Sequence, residues 1–148
     1  MSQLVLTRRA DLSAPGTCLL AFYSNTPIAP PGVGWSVNVG DEEAKILSLW
    51  FNSSINVLQA ILNRKETRGA FLQLDEYVLE KMLVPNMSTI SKDHLKLLLK
   101  TFRLVKNIKF PSILTQLKDK HPSRRVIDTA WLEVLGYKGN MDKLLDRL

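Results

Sequence analysis

A chain of 148 residues, 45% of them hydrophobic, is long enough to bury the core of one ordinary domain. Its single cysteine, Cys18, excludes an internal disulfide or a cysteine-built metal cluster, which fits a reducing cytoplasm. The formal net charge of +6 is uneven: residues 1–75 hold six Lys+Arg against six Asp+Glu, so the whole excess falls in residues 76–148, with fourteen against eight. A basic second half favours a polyanionic partner such as nucleic acid.

In chain order, Leu4 to Arg8 alternates as a strand, and Asp11-Leu-Ser-Ala-Pro-Gly16 supplies turn residues. Thr17 to Tyr23 is a second, more apolar strand. Ser24 to Gly34, rich in proline and glycine, reads as an exposed loop. Trp35 to Val39 gives a third strand. Asp41 is expected as the N-cap of a long helix, with Glu42 and Glu43 in its first turn. On that helix, projected over residues 45–63, Ile46, Leu47, Trp50, Val57, Leu58, Ile61 and Leu62 share an apolar face. The opposite face carries Lys45, Ser48, Asn52, Asn56, Gln59 and Asn63, an amide-rich set where a solvated face would use Glu, Lys and Arg. A charged corner follows, Arg64-Lys-Glu-Thr-Arg68-Gly69. Ala70 to Leu74 is a short strand, and Asp75 caps a helix over 76–82. The rest reads as helices: Lys92 to about Lys109, one opened by Pro111 and running through Lys118, one capped by Ser123 and stopped by Gly136, and a fragment from Asn140 to Leu148.

Enzyme signatures are missing. His94 and His121 lie far apart among lysines, Cys18 sits in an apolar strand, and no phosphate loop or Gly-x-Ser-x-Gly elbow occurs. Met1 to Arg9 is too short for a signal peptide, and no apolar run approaches the roughly 20 residues of a membrane helix. A soluble, cytoplasmic protein without a membrane role is the expectation. Binding patterns are present. Lys92, Lys96, Lys100, Arg103 and Lys106 fall within about a 120° arc at helical spacing, as phosphate contacts or as a solvated face. Asn52, Asn56 and Gln59 are candidates for base reading, since side-chain amides pair bidentately with adenine; packing on a neighbouring loop is the other reading. Arg64, Lys65 and Arg68 are phosphate clamps or partners of Glu66.

The stretch Leu47 to Asn86 resembles the closing part of the target-recognition region of adenine-N6 DNA methyltransferases in restriction-modification systems. The shared residues are Leu47, Leu49, Asn52 and Ser53 on the helix, Glu66, Thr67, Arg68 and Gly69 at the corner, and Leu83, Val84 and Pro85 at the exit. Pro111-Ser-Ile-Leu-Thr-Gln-Leu117, Arg125-Val-Ile-Asp128 and Leu135-Gly136 are similar to the segment that follows in such methylases. Family members bind S-adenosylmethionine through a glycine motif and use an Asn-Pro-Pro-Tyr type catalytic motif. Neither occurs here, so the resemblance implies the DNA-holding and specificity part without catalysis or cofactor.

The expectation is therefore an α+β fold: a small, mostly antiparallel sheet packed on one long helix (residues 1–87), then a helical tail (88–148) packed with it as one domain. The expected function is double-stranded DNA binding as a target-recognition module, with Arg64, Lys65, Arg68, Lys96, Lys100 and Arg103 on phosphates. A separate methyltransferase or restriction chain is the implied partner. The alternatives are a protein-assembly module, including a homo-oligomer, and a non-functional remnant of a methylase gene.

Overall fold

The computed structural model describes residues 1–30, 32, 34–64 and 71–147. Five strands, β1 (Ser2–Thr7), β2 (Arg9–Asp11), β3 (Ala21–Ile28), β4 (Gly34–Val37) and β5 (Phe71–Gln73), are interleaved with seven helices among the described residues. The helices are α1 (Asp41–Phe51), α2 (Ser54–Asn63), α3 (Glu76–Leu79), α4 (Lys92–Val105), α5 (Ile113–Lys118), α6 (Pro122–Val134) and α7 (Met141–Leu145). The fold is α+β. One antiparallel sheet has the order β3-β1-β4, and β2 pairs antiparallel with β5.

Alternation on the sheet sets one face against the helices. Leu4 pairs with Tyr23 and Val37, and Leu6 with Ala21 and Trp35. These residues join Ile46, Leu47 and Trp50 of α1, Leu98, Phe102 and Val105 of α4, and Ile127 and Trp131 of α6 in one core. Trp131 is fully buried and meets Trp50 edge-on at 5.0 Å. A second core lies under β2 and β5, where Leu20, Leu72, Leu74 and Val78 pack with Val57, Ala60 and Ile113.

The expected long helix is broken in two at Asn52 and Ser53. Asn52 ends α1 and Ser53, in an extended conformation, caps α2 by accepting from the Asn56 N–H at 3.2 Å. The cause is local: Asn and Ser side chains offer the backbone partners that compete with continued helix. Four carbonyls around the break have donors from side chains. Asn52 Nδ2 donates to Ser48 O (2.9 Å), Ser53 Oγ to Trp50 O (2.7 Å), Asn56 Nδ2 to Phe51 O (3.0 Å) and Arg124 Nη1 to Asn52 O (2.7 Å). The break also turns α2 relative to α1, so a single helical projection fails beyond Val57. Leu58 and Leu62, expected inside, are 40% and 74% exposed.

Several strand boundaries differ from expectation, and β2 is a strand where turn residues are expected to begin. Thr17 to Leu20 falls outside β3: Thr17 N donates to Ala14 O (3.1 Å) and Leu20 O accepts from Thr7 N of β1 (2.9 Å), while three further groups bond toward the helices. Thr17 O accepts from Ile113 N, Cys18 O from Gln116 Nε2, and Leu20 N donates to Asn52 Oδ1. Ser24 to Ile28, expected as loop, continues β3. As an edge strand it tolerates Pro27, which has no N–H to donate, and an irregular register between Ser2 and Leu4 absorbs the extra length. Arg8 stands between β1 and β2; its guanidinium lies 5.3 Å from the Trp35 ring and 3.4 Å from Asp75.

Asp41, expected as N-cap, is the first residue of α1, with Gly40 at the cap. Its carboxylate instead accepts from Lys45, from Tyr23 Oη at 2.6 Å and from Gln3 Nε2 at 3.2 Å, tying α1 to the sheet. The helix after Asp75 is shorter than expected, as is α4, whereas α6 begins at Pro122 with Gly136 (φ +72°) just past its end.

Asn52→Ala should destabilise the fold by about 2–4 kcal/mol in urea unfolding, because it strands buried Leu20 and Ala21 backbone groups. Asn52→Asp should also destabilise at neutral pH, since it places a carboxylate oxygen against the carbonyls of Ala21 and Ser48. Lys45, and after it Tyr23, hold the Asp41 carboxyl below its ordinary value of 3.8. The stabilisation from a depressed carboxyl is complete above that value and is lost as the pH falls through the lowered one. The protection factors of the amides at the start of α1 should therefore fall on acidification below pH 3.8, and Asp41→Asn should weaken that dependence.

Candidate nucleic-acid interface

Helix α4 owes its position to one apolar stripe. Ser91 caps it by accepting from the His94 N–H at 3.2 Å, and Asp93 complements the dipole in the first turn. Leu98, Thr101, Phe102 and Val105 are buried against α1 and α6, and Phe102 meets the Tyr23 ring edge-on at 5.2 Å. That packing turns the other face outward. Lys92, Lys96, Lys100, Arg103 and Lys106 are all exposed, as expected from their spacing, and Lys109 continues the charge past the helix end. A rise of 1.5 Å per residue spreads Lys92 to Lys106 over about 21 Å.

The row is nearly free of counter-charge. Lys96 meets Asp93 at 3.2 Å, with both side chains at least 78% exposed, and such a pair contributes about 0–1 kcal/mol. Among the described residues, Lys92, Lys100, Arg103 and Lys106 have no ion-pair partner. Leu104 and Ile108, 60% and 40% exposed, flank the row toward its C-terminal end. There an apolar cleft of about 170 Å³ opens between Phe22, Tyr23, Phe102, Val105, Phe110 and Lys106.

Other predicted site residues are placed elsewhere. Arg64 is exposed at the C-cap of α2, while α4 packs chiefly on α1 and α6; Arg64 is not part of the row. Lys65 and Arg68 lie outside the described residues. The amide face is internal. Asn52 and Asn56 are buried, and the Asn52 amide bonds to Leu20 N, Ala21 N, Ala21 O and Ser48 O. Gln59 donates to Leu83 O (3.2 Å) and accepts from Leu83 N (2.9 Å). Asn52, Asn56 and Gln59 therefore hold backbone together, and their candidacy as base readers is corrected to that role.

No group of three or more His, Cys, Asp or Glu side chains among the described residues could hold a metal ion. Cys18 is half-buried, with Sγ 3.4 Å from Gly16 O, and His121 rests 5.6 Å from the Phe110 ring. No helix among the described residues is long and apolar enough to cross a membrane. Comparison with protein-family models, with curated proteins and with solved structures finds no match for this chain.

The α4 row is dispensable to the fold. Lys100→Glu should shift the unfolding free energy by no more than about 0.5 kcal/mol, measured by denaturant titration, because it has no partner to lose, and Arg103→Glu by about 1 kcal/mol, because Arg103 lies in the last turn of α4.

Proposed function

We propose that the protein binds double-stranded DNA, with the exposed face of α4 laid along the phosphate backbone. The observation that carries this reading is the row Lys92, Lys96, Lys100, Arg103 and Lys106, which faces solvent with a single weak counter-charge. A face present only to keep a helix soluble mixes signs, since like charges along one side repel. Five phosphate contacts make binding steeply salt-dependent and sequence-independent. The resemblance of residues 47–86 to adenine-N6 methyltransferase target-recognition regions supports the same partner. It implies a holding module, without catalysis of its own, that serves a methyltransferase or restriction chain. Arg64 is an additional candidate contact, and the base-reading groups are to be sought outside Asn52, Asn56 and Gln59.

The experiment is a salt titration of duplex binding. The log–log slope of affinity against salt should be roughly −4 to −5 if all five cations meet phosphates, and Lys100→Glu or Arg103→Glu should reduce its magnitude by about one and weaken binding. Absence of duplex binding at low salt, or charge reversals without effect, would overturn the reading.

A second reading, assembly with another copy, is favoured by a separate observation. Leu58 and Leu62 of α2 and the neighbouring Leu83 and Val84 are 40–76% exposed, and the Gln59 to Leu83 bonds hold these segments side by side. Light scattering should then show a multimer that persists in high salt and dissociates in Leu62→Lys; a monomer under both conditions refutes assembly.

A further inference from the structure

Away from α4, the turn from α5 into α6 builds a second cationic feature. Lys120, His121, Arg124 and Arg125 line a small cleft with Ser54 and Asp128, and Leu145 of α7 closes its outer side. The inner wall is fixed. Arg124, 3% exposed, donates to Gln116 Oε1 (2.9 Å) and Asn52 O (2.7 Å), and Asp128 accepts from the N–H and Oγ of Ser54, each at 2.7 Å. The outer wall is held by charge on the surface. Asp146, the C-cap of α7, accepts from Lys120 Nζ at 2.8 Å and from Arg125 Nη2, while Asp142 stands 3.9 Å from Arg125 Nη1.

This arrangement offers more donors than one carboxylate uses. Arg125 Nη1 and His121 Nδ1 are buried nitrogens without a hydrogen-bond partner among the described residues, and both residues line the cleft. Unmet buried polar atoms are uncommon in folded proteins and call for a partner. Lys120 has φ +50°, the one positive φ outside glycine among the described residues. It closes the end of α5, where His121 N donates to Gln116 O at 2.9 Å, and its ammonium lies on Asp146. Lys120 first, then Arg125, hold the Asp146 carboxyl below its ordinary value, so it is an anion at neutral pH. Its pair with Lys120 is half-exposed and its pair with Arg125 is open on the carboxylate side, so both are weak enough for a dianion to displace.

We propose that this cleft is a phosphate-binding site whose resident occupant is the carboxylate of Asp146. An incoming phosphate takes over the bonds from Lys120 and Arg125 Nη2 and engages Arg125 Nη1 and, in its Nδ1–H tautomer, His121, and α7 lifts away. Three acceptor oxygens on a dianion match that donor set better than one carboxylate does. The proposal is independent of the α4 face.

The test titrates the full chain with inorganic phosphate at constant ionic strength, against chloride. Asp146→Asn should bind phosphate at least tenfold more tightly than wild type, and adding Arg125→Gln should abolish that gain. In wild type, saturating phosphate should speed hydrogen exchange in α7 and shift the Arg125 side-chain resonance, a readout that does not depend on either variant folding. Equal binding by wild type and Asp146→Asn, binding that survives Arg125→Gln, or an unmoved α7 at saturating phosphate overturns the site. A short duplex separates the sources. If its affinity rises in Asp146→Asn and falls with added inorganic phosphate, the phosphate is that of a nucleic-acid backbone; if neither change occurs while inorganic phosphate still binds, it is a free phosphate compound.

Discussion

The side-chain amide of Asn52 is the constraint on which the rest of the architecture depends. Its oxygen takes two N–H groups from the start of β3, and its nitrogen satisfies a carbonyl of the same segment and one of α1. Its backbone carbonyl is met by Arg124 of α6. One residue thus joins the sheet, the break in the helical segment and the tail. Because an unmet amide in this position would carry the full desolvation penalty, the geometry is specified more sharply than apolar packing alone would specify it.

The same junction explains why the helical second half does not stand apart. Leu98, Phe102, Ile127 and Trp131 complete the core begun by Leu4, Leu6 and Trp50, and Gln116 reaches back to Cys18. Helices α4 and α6 thus share one core with β1, β3 and α1. The basic excess of this half is distributed in two ways. Along α4 it faces solvent with little opposition, whereas around α6 it is knitted into carboxylates and carbonyls. Equal charges in a composition count therefore have different chemical meanings.

Much of this was legible in the residues, and the failures share a cause. Amphipathic spacing located α4 and its outward cations, because burial of Leu98, Phe102 and Val105 leaves no other orientation. Alternation located β1 and β4. The break at Asn52 and Ser53 escaped a fixed 100° projection, which averages over a local interruption. The polar face around Asn56 and Gln59 escaped for a different reason: an amide that pairs with backbone and an amide that pairs with a base carry the same side chain. For Gln59 and Asn52 only the distant partners, Leu83 and the residues that open β3, distinguish the two, and they are 24 and more residues away in sequence. The cationic cleft beside α7 depends on Lys120, Arg125 and Asp146 meeting across 21 residues or more, which no periodicity announces.

The edge-on pair of Trp50 and Trp131 spans the seam between the sheet-bearing half and the tail. Trp131 is shielded from water entirely, and Trp50 donates its indole N–H to Leu83 O at 3.2 Å. Any event that pries the seam apart must wet one indole and uncouple the two rings. Intrinsic fluorescence and near-ultraviolet dichroism therefore report, without a label, whether the two halves of the molecule are closed on each other.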